Sequence, residues 1–186
     1  MNLEKETNKK ILLHACCAIC SGYPITLLKE LGYNVIVYFC NNNFDTIDEY
    51  NRRLEAEKTL CKHFGVELLV EPYTPQIYID YIKGLENEPE GGARCIKCFE
   101  LRLKESAKKA KELGIDIFTT SMIISPHKNF KNLCGVGESV GKEYGLEFLG
   151  LDFKKKDGFL KTNKISKDLG LYRQNYCGCI FAKNKR

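Results

Sequence analysis

The chain has 186 residues, of which 44% are hydrophobic and 28% charged, and its formal net charge is +5. This composition is globular and excludes a disordered chain, while the length suffices for one domain with a hydrophobic core. No segment approaches the roughly 18 apolar residues of a membrane-spanning helix, and the N-terminus lacks the apolar run of a secretory signal. We therefore expect a cytoplasmic protein without membrane association, with one domain over residues 1–186.

Strand and helix patterns alternate along the chain. Short apolar runs predict strands at residues 10–14, 34–40, 66–70, 115–120 and 146–152. Amphipathic spacing predicts helices at residues 24–31, 45–64, 75–83, 95–113 and 129–144. Pro24 is expected in the first turn of its helix, where the missing N–H is not needed. The residues from 153 onward form a lysine-rich tail, to which we assign no helix or strand.

This alternation predicts an α/β fold, a single parallel sheet with helices on both faces. Ligands of such sheets bind outside the carboxyl ends of the strands. In this chain those ends carry residues 14–20, 40–43 and 120–128, together with Asp152. We therefore expect the functional site at this edge of the sheet.

Seven of the ten cysteines fall into three groups. In a reducing compartment, clustered thiols more often bind metal or carry out redox chemistry than form disulfides. The middle group opens a predicted helix, whose exposed N–H groups and dipole lower thiol pKa values and favour metal ligation. The groups are Cys16, Cys17 and Cys20; Cys95 and Cys98; and Cys177 and Cys179. This pattern predicts a metal site at the sheet edge.

The remaining cysteines and the kind of metal leave alternatives open. Cys61 and Cys134 lie on apolar helix faces and are expected in the core, whereas Cys40 ends a strand close to the site. The role of Cys20 is left open. A structural zinc site usually uses four ligands, often from two C-x-x-C knuckles, but this chain has one such knuckle. The spacing favours an iron–sulfur cluster with a second metal, and zinc remains the alternative.

In these motifs the chain resembles the cobalamin-independent epoxyqueuosine reductases of the QueH type. The resemblance runs through nearly the whole chain, and the ordered set of motifs is more specific than any one of them. Ile19 and Asn42 depart from the family pattern, which usually has proline at both positions. The motifs are residues 13–21, Glu49-Tyr50 with Arg53, and residues 95–102, 119–128, 152–155 and 172–179.

The resemblance implies the last step of queuosine synthesis in the anticodon stem-loop of a tRNA. An epoxide on the modified base is reduced to an alkene, which needs two electrons, a redox cofactor and an external electron donor. The fold implied is similar to the nucleotide α-hydrolase-like (HUP) folds. Cysteines replace the ATP-binding loop of those folds, so we do not expect ATP to be used.

The resemblance also suggests roles for individual residues. We expect Cys17, Cys95 and Cys98 to hold a [4Fe–4S] cluster. A second metal, expected to be iron, would be held by Cys16 with Cys177 or Cys179 and a carboxylate such as Asp152. The candidate proton donors are His14, His127 and Tyr176. Arg53, Lys128 and Arg173 are candidates for binding RNA phosphates, and Tyr172, Tyr176 and Phe99 for stacking on the base.

Two other classes of function remain open at this point. A zinc-stabilised, non-catalytic RNA-binding module would be colourless and would lack redox activity. A thiol–disulfide oxidoreductase would use Cys95 and Cys98 without any metal, but it would leave the thiols near the two chain ends unexplained.

Overall fold

The computed structural model describes residues 8–183. Residues 1–7 and 184–186 lie outside the described residues. The predictions for the N-terminus and for the two ends of the 1–186 domain therefore fall outside the described part of the chain. Within residues 8–183, no helix has both the length and the apolar character needed to cross a membrane.

Five strands form one parallel sheet in the order β3-β2-β1-β4-β5. The predicted α/β fold with a parallel sheet is therefore confirmed. The strands are β1 Lys10–His14, β2 Asn34–Phe39, β3 Glu67–Val70, β4 Ile117–Thr120 and β5 Glu147–Phe148. The helices are α1 Ala18–Glu30, α2 Ile47–Phe64, α3 Pro75–Tyr81, α4 Ala93–Glu112, α5 Phe130–Tyr144, α6 Gly158–Asp168 and α7 Ile180–Lys183, and a 3₁₀ turn spans Ser121–Ile124.

The centre of the sheet is the core of the molecule. In β1, Ile11, Leu12 and Leu13 are all fully buried, although successive side chains point to opposite faces. Helices cover both faces, which explains why the central strands are continuous apolar runs without alternation. The carboxyl ends of β1, β2 and β4 consequently meet at one edge.

The first helix begins earlier than predicted. It starts at Ala18, and Pro24 lies inside it instead of in its first turn. Pro24 cannot donate to the preceding turn, and the Thr162 hydroxyl supports the backbone there by donating to the Ile19 carbonyl (2.6 Å) and accepting from the Tyr23 N–H (3.2 Å). The correction matters because it extends α1 to the cysteine-rich turn.

The lysine-rich tail contains a helix, α6, to which the sequence reading assigned no structure. Its buried face includes the small polar residues Thr162 and Ser166, so it shows little of the apolar periodicity that marks a helix. Gly158 is required at its start, because a Cβ there would collide with the Phe153 carbonyl and the Tyr23 ring. In contrast, β5 is shorter than the predicted strand at residues 146–152.

Candidate metal centre

The turn between β1 and α1 brings three thiols together. The sulfur atoms of Cys16, Cys17 and Cys20 all lie within 4.8 Å of one another, and those of Cys16 and Cys17 are 3.8 Å apart. Cys17 immediately precedes α1 and Cys20 lies in its first turn, so the helix start at Ala18 sets their spacing. We call these residues the first thiol group.

Within this group the protons are unequally shared. Hydrogen bonds from the Cys17 and Cys20 thiols hold the pKa of Cys16 well below its ordinary value, against the effect of burial. The same contact with Cys16 raises the pKa of Cys17 to about 12. Ser121 adds support, since its hydroxyl accepts from the Cys16 N–H (3.0 Å) and donates to the Cys16 sulfur (3.4 Å). Cys16 is thus the thiol of this group that loses its proton most readily, and the thiolate is the form that ligates metals.

Four further thiols line a neighbouring cavity of about 120 Å³. Two come from the first two turns of α4 and two from the C-terminal segment. The Gly91 N–H donates to the Cys95 sulfur (3.2 Å), and burial raises the pKa of the Cys98 thiol to about 12. This second thiol group consists of Cys95, Cys98, Cys177 and Cys179.

The two thiol groups adjoin each other. The first group opens into a cavity of about 180 Å³ that shares part of its wall with the second cavity. Arg102, one turn after Cys98 in α4, is buried in this wall and donates to the Asn41 side-chain oxygen. Burial alone would lower the pKa of Arg102, but the nearby thiols raise it overall. The shared residues are Glu90, Arg102, His127, Lys128 and Cys177.

Lys128 places a second cation among the thiols. Its ammonium nitrogen lies 4.0 Å from the Cys177 sulfur. Burial opposes the charge, but attraction to Cys177 and Cys16 outweighs burial and raises the pKa of Lys128 above its ordinary value. The site therefore places two cations beside its sulfur atoms, and a nearby positive charge favours the ionised form of a thiol.

The C-terminal thiols are held in place by α2. Glu49 and Arg53 form a buried ion pair (2.6 Å), and Arg53 donates to the backbone carbonyls of Cys177 (3.1 Å) and Tyr176 (3.2 Å). The Tyr172 hydroxyl donates to the other Glu49 oxygen (2.8 Å). A single helix face thus anchors the segment that carries the last two cysteines.

Of the predicted metal ligands, the cysteines line the two cavities and Asp152 does not. The six cysteines predicted as ligands all line the two cavities, but Cys17 lies with Cys16 and Cys20, apart from Cys95 and Cys98. Asp152 does not line either cavity in the described part of the chain. One of its carboxylate oxygens accepts from the Lys154 N–H (3.1 Å). Burial raises the pKa of the Cys134 thiol, and the charges of Glu138 and Asp152 add to this effect.

His14 is placed differently from the other candidate proton donors. It is fully buried, its Nε2 bonds to the Cys40 carbonyl (3.3 Å) and its Nδ1 to the Thr120 hydroxyl (2.9 Å). Burial, together with the charge of Arg102, lowers the pKa of His14 to about 3. A ring bonded on both sides ties three strand ends together, and the role of His14 as a proton donor stays a prediction. His127 and Tyr176, by comparison, line the first cavity.

The predicted substrate-binding residues also divide. Lys128, Arg173 and Arg53 line the first cavity, and their role in binding RNA phosphates stays a prediction. The Arg53 guanidinium also anchors the C-terminal segment, whereas Tyr172 contacts α2 away from both cavities. Phe99 is buried in the core and also touches the second cavity.

The sequence reading missed two charged residues of the site. Arg102 could have been found, because it follows Cys98 by four residues and Cys95 by seven and therefore shares their helix face. Glu90 carried no such signal, since it lies in an irregular loop. Arg94 positions that loop by donating to the backbone carbonyls of Glu86 and Glu88.

The fold and the site define a HUP-like α/β protein with a cysteine cluster at the strand ends. Two solved structures share this fold at low sequence identity. The U34-tRNA thiolase NcsA from Methanococcus maripaludis matches with a TM-score of 0.56 and 15% identity, over 92% of this chain and 59% of its own. A predicted subunit of tRNA methyltransferase from Methanocaldococcus jannaschii matches with a TM-score of 0.59 and 14% identity, over 84% and 74%.

Sequence comparison identifies the family. The family model described as epoxyqueuosine reductase QueH matches residues 11–185. Relatives of that name from Streptococcus pyogenes and Staphylococcus aureus are 41% and 38% identical, over 96% and 93% of this chain and 72% and 75% of their own length. This chain belongs to the QueH family of epoxyqueuosine reductases, which are oxidoreductases.

Proposed function

We propose that this protein is a cytoplasmic, iron–sulfur-dependent enzyme that reduces epoxyqueuosine in a tRNA anticodon to queuosine. The observation that carries the proposal is the meeting of two thiol groups at the strand ends, in a chain of this family. Loss of the epoxide oxygen as water consumes two electrons and two protons and leaves an alkene. An external donor supplies the electrons.

The thiols fit an iron–sulfur centre. Such clusters are held by cysteine thiolates, and the site offers seven thiols beside two buried or partly buried cations. When bound, the cluster supplies electrons and a second iron supplies Lewis acidity. Asp152 as a further ligand stays a prediction. The proposed ligands are Cys16, Cys17, Cys95, Cys98, Cys177 and Cys179, with Cys20 added from the geometry.

The structural neighbour NcsA supports this choice of cofactor. That protein is described with its [4Fe–4S] cluster and acts on U34 of tRNA, and it shares the fold of this chain. This similarity to NcsA favours iron over zinc as the metal, and a tRNA over a free nucleoside as the substrate.

The protein's own side chains would bind and protonate the substrate. Lys128 and Arg102 present positive charge toward the first cavity, where they stabilise negative charge on the departing oxygen. Tyr176 is our candidate proton donor, with His127 as the second. The Tyr176 hydroxyl donates to Asp45 (2.8 Å), and burial together with this contact raises its pKa, so it retains its proton.

The first experiment is anaerobic purification followed by visible spectroscopy and analysis of iron, sulfide and zinc. We expect a brown protein with about four sulfides per chain, the content of one [4Fe–4S] cluster. With a chemical reductant, it should convert epoxyqueuosine to queuosine in tRNA. A colourless protein that contains zinc and no sulfide, even after anaerobic reconstitution, would contradict the proposal and favour the RNA-binding module.

A further inference from the structure

The positive charge of the chain is concentrated in residues 154–173, which we call the basic segment. The segment contains six lysines and one arginine against two aspartates, a net charge of +5 that equals the net charge of all 186 residues. The rest of the chain is therefore neutral on balance. Charge that serves solubility alone has no reason to collect in one place, whereas a polyanion-binding surface requires it.

Several cations of the basic segment are available to a partner, whereas Lys154 donates to the Lys128 carbonyl and Lys161 lies over the Tyr23 ring. None of the ion pairs within residues 8–183 involves a basic side chain of the segment. On α6, Lys164 and Lys167 are exposed on the side opposite the buried Thr162. Other lysines of the protein, such as Lys58 and Lys97, are instead paired with nearby glutamates.

The loop before α6 presents two more lysines through an unusual backbone. Lys156 and Asp157 both have positive φ angles, 54° and 60°, which non-glycine residues seldom adopt. The turn is enforced at Gly158, where no side chain fits. It leaves Lys155 and Lys156 exposed just before the start of α6. Strain of this kind is retained where the surrounding structure demands it, often at functional surfaces.

The basic segment is also a wall of the first cavity. Phe159 and Asn163 of α6 line that cavity beside the first thiol group, and Arg173 donates to the Asn163 oxygen (3.0 Å). The Thr162 hydroxyl bonds to the Ile19 carbonyl, next to Cys20, and fixes α6 relative to the thiols. A partner held on the basic segment would therefore lie at the cavity mouth.

We propose that the basic segment docks the phosphate backbone of the RNA whose modified base enters the first cavity. This inference rests on the proposed function, because it takes the anticodon stem-loop as the substrate. Phosphate contacts would position the RNA without reading its sequence. Phe159, 37% exposed at the cavity mouth, offers a ring on which an unpaired base can stack.

The test is a charge reversal with a matched control. The variant Lys155→Glu/Lys164→Glu/Lys167→Glu is compared with Lys62→Glu/Lys108→Glu/Lys142→Glu, which changes the net charge equally at exposed sites outside the segment. Anaerobically purified proteins are titrated into a fluorescent, unmodified anticodon stem-loop RNA at several salt concentrations. Circular dichroism and melting temperature check that each variant is folded.

We expect the segment variant to bind the RNA at least about tenfold more weakly than wild type. The slope of log K against log salt concentration should be shallower by about 2 to 3, because up to three phosphate contacts are lost. The control variant should bind within about twofold of wild type. Equal binding by both variants would overturn the docking surface and leave the reductase function standing. The wild-type protein is also mixed with anionic lipid vesicles, and binding of the vesicles without binding of the RNA would likewise overturn the docking surface. RNA binding at the segment without epoxyqueuosine reduction would instead sink the proposed function alone.

Discussion

Substitution of Cys98 tests whether this thiol binds a metal or only packs in the core. It is buried in the second thiol group, one turn before Arg102. We expect Cys98→Ala to lose most of the visible absorption and bound sulfide, because a cluster ligand is removed. Cys134→Ala is the matched control, since Cys134 lies outside both thiol groups and should leave the spectrum unchanged. Full retention of the chromophore in Cys98→Ala would eliminate this ligand.

Glu57 is a buried carboxyl group that belongs to neither cavity. Neither of its oxygens is within good hydrogen-bond geometry of a partner among the described residues, and burial raises its pKa from 4.5 to about 8 although the nearby Ser21 hydroxyl opposes this. The folded state therefore holds a proton that the unfolded state releases between those pH values. Stability consequently falls as the pH rises from about 4.5 to 8, by on the order of 3 kcal/mol by pH 7.

The substitution Glu57→Gln removes this titration. We expect its stability relative to wild type to rise steadily between pH 5 and pH 8, measured by urea unfolding under anaerobic conditions. Glu55→Gln, an exposed change on the same helix, should show no such trend. A constant difference between Glu57→Gln and wild type over this range would mean that Glu57 is not protonated in the fold.

At the scale of elements, the contact between α2 and the C-terminal segment decides whether the second thiol group is complete. Gly178 lies between the last two cysteines with a φ of 109°, and a Cβ there would come within 2.6 Å of the Phe44 ring. We expect Gly178→Ala to destabilise the protein by about 1 to 3 kcal/mol and to lower the iron content, because the segment is displaced.

Gly135→Ala provides the control for that substitution. Gly135 lies in α5, and a Cβ there would meet no heavy atom within 4 Å. It should keep its iron and gain up to about 1 kcal/mol from better helix propensity. Iron per folded chain and the melting temperature measure both effects. Normal iron content in Gly178→Ala would show that the segment does not need this backbone conformation.

At the scale of the whole molecule, metal binding and folding stability should be coupled. The thiol groups draw on three distant parts of the chain, and a metal that binds only the folded arrangement stabilises it. Anaerobic removal of iron with a chelator should therefore lower the melting temperature of wild type. The Cys98→Ala variant should shift much less under the same treatment. An unchanged wild-type melting temperature would mean that the folded thiol arrangement gains no stability from the metal.

Sequence reasoning succeeded where the signal is local. Continuous apolar runs such as residues 34–40 are typical of strands buried on both faces, and the order of strands and helices then leaves a parallel sheet as the simplest arrangement. Sequence reasoning failed to predict the start of α1, which places Pro24 inside the helix, and it failed to predict α6. Long-range contacts decide both features. The Thr162 hydroxyl supports α1 from more than a hundred residues away, and the buried face of α6 is too polar to be recognised.

The sequence by itself determined the sheet, the edge at which a site forms and the cysteines that supply it, because strand ends and C-x-x-C spacing are properties of short segments. Only the tertiary structure decided how the thiols group, that Arg102 and Glu90 join them, and which buried hydrogen bonds His14 and Arg53 form. The reason is physical. Hydrogen-bond partners, burial and charge neighbours are set by segments far apart in the chain, and no short stretch of sequence contains them.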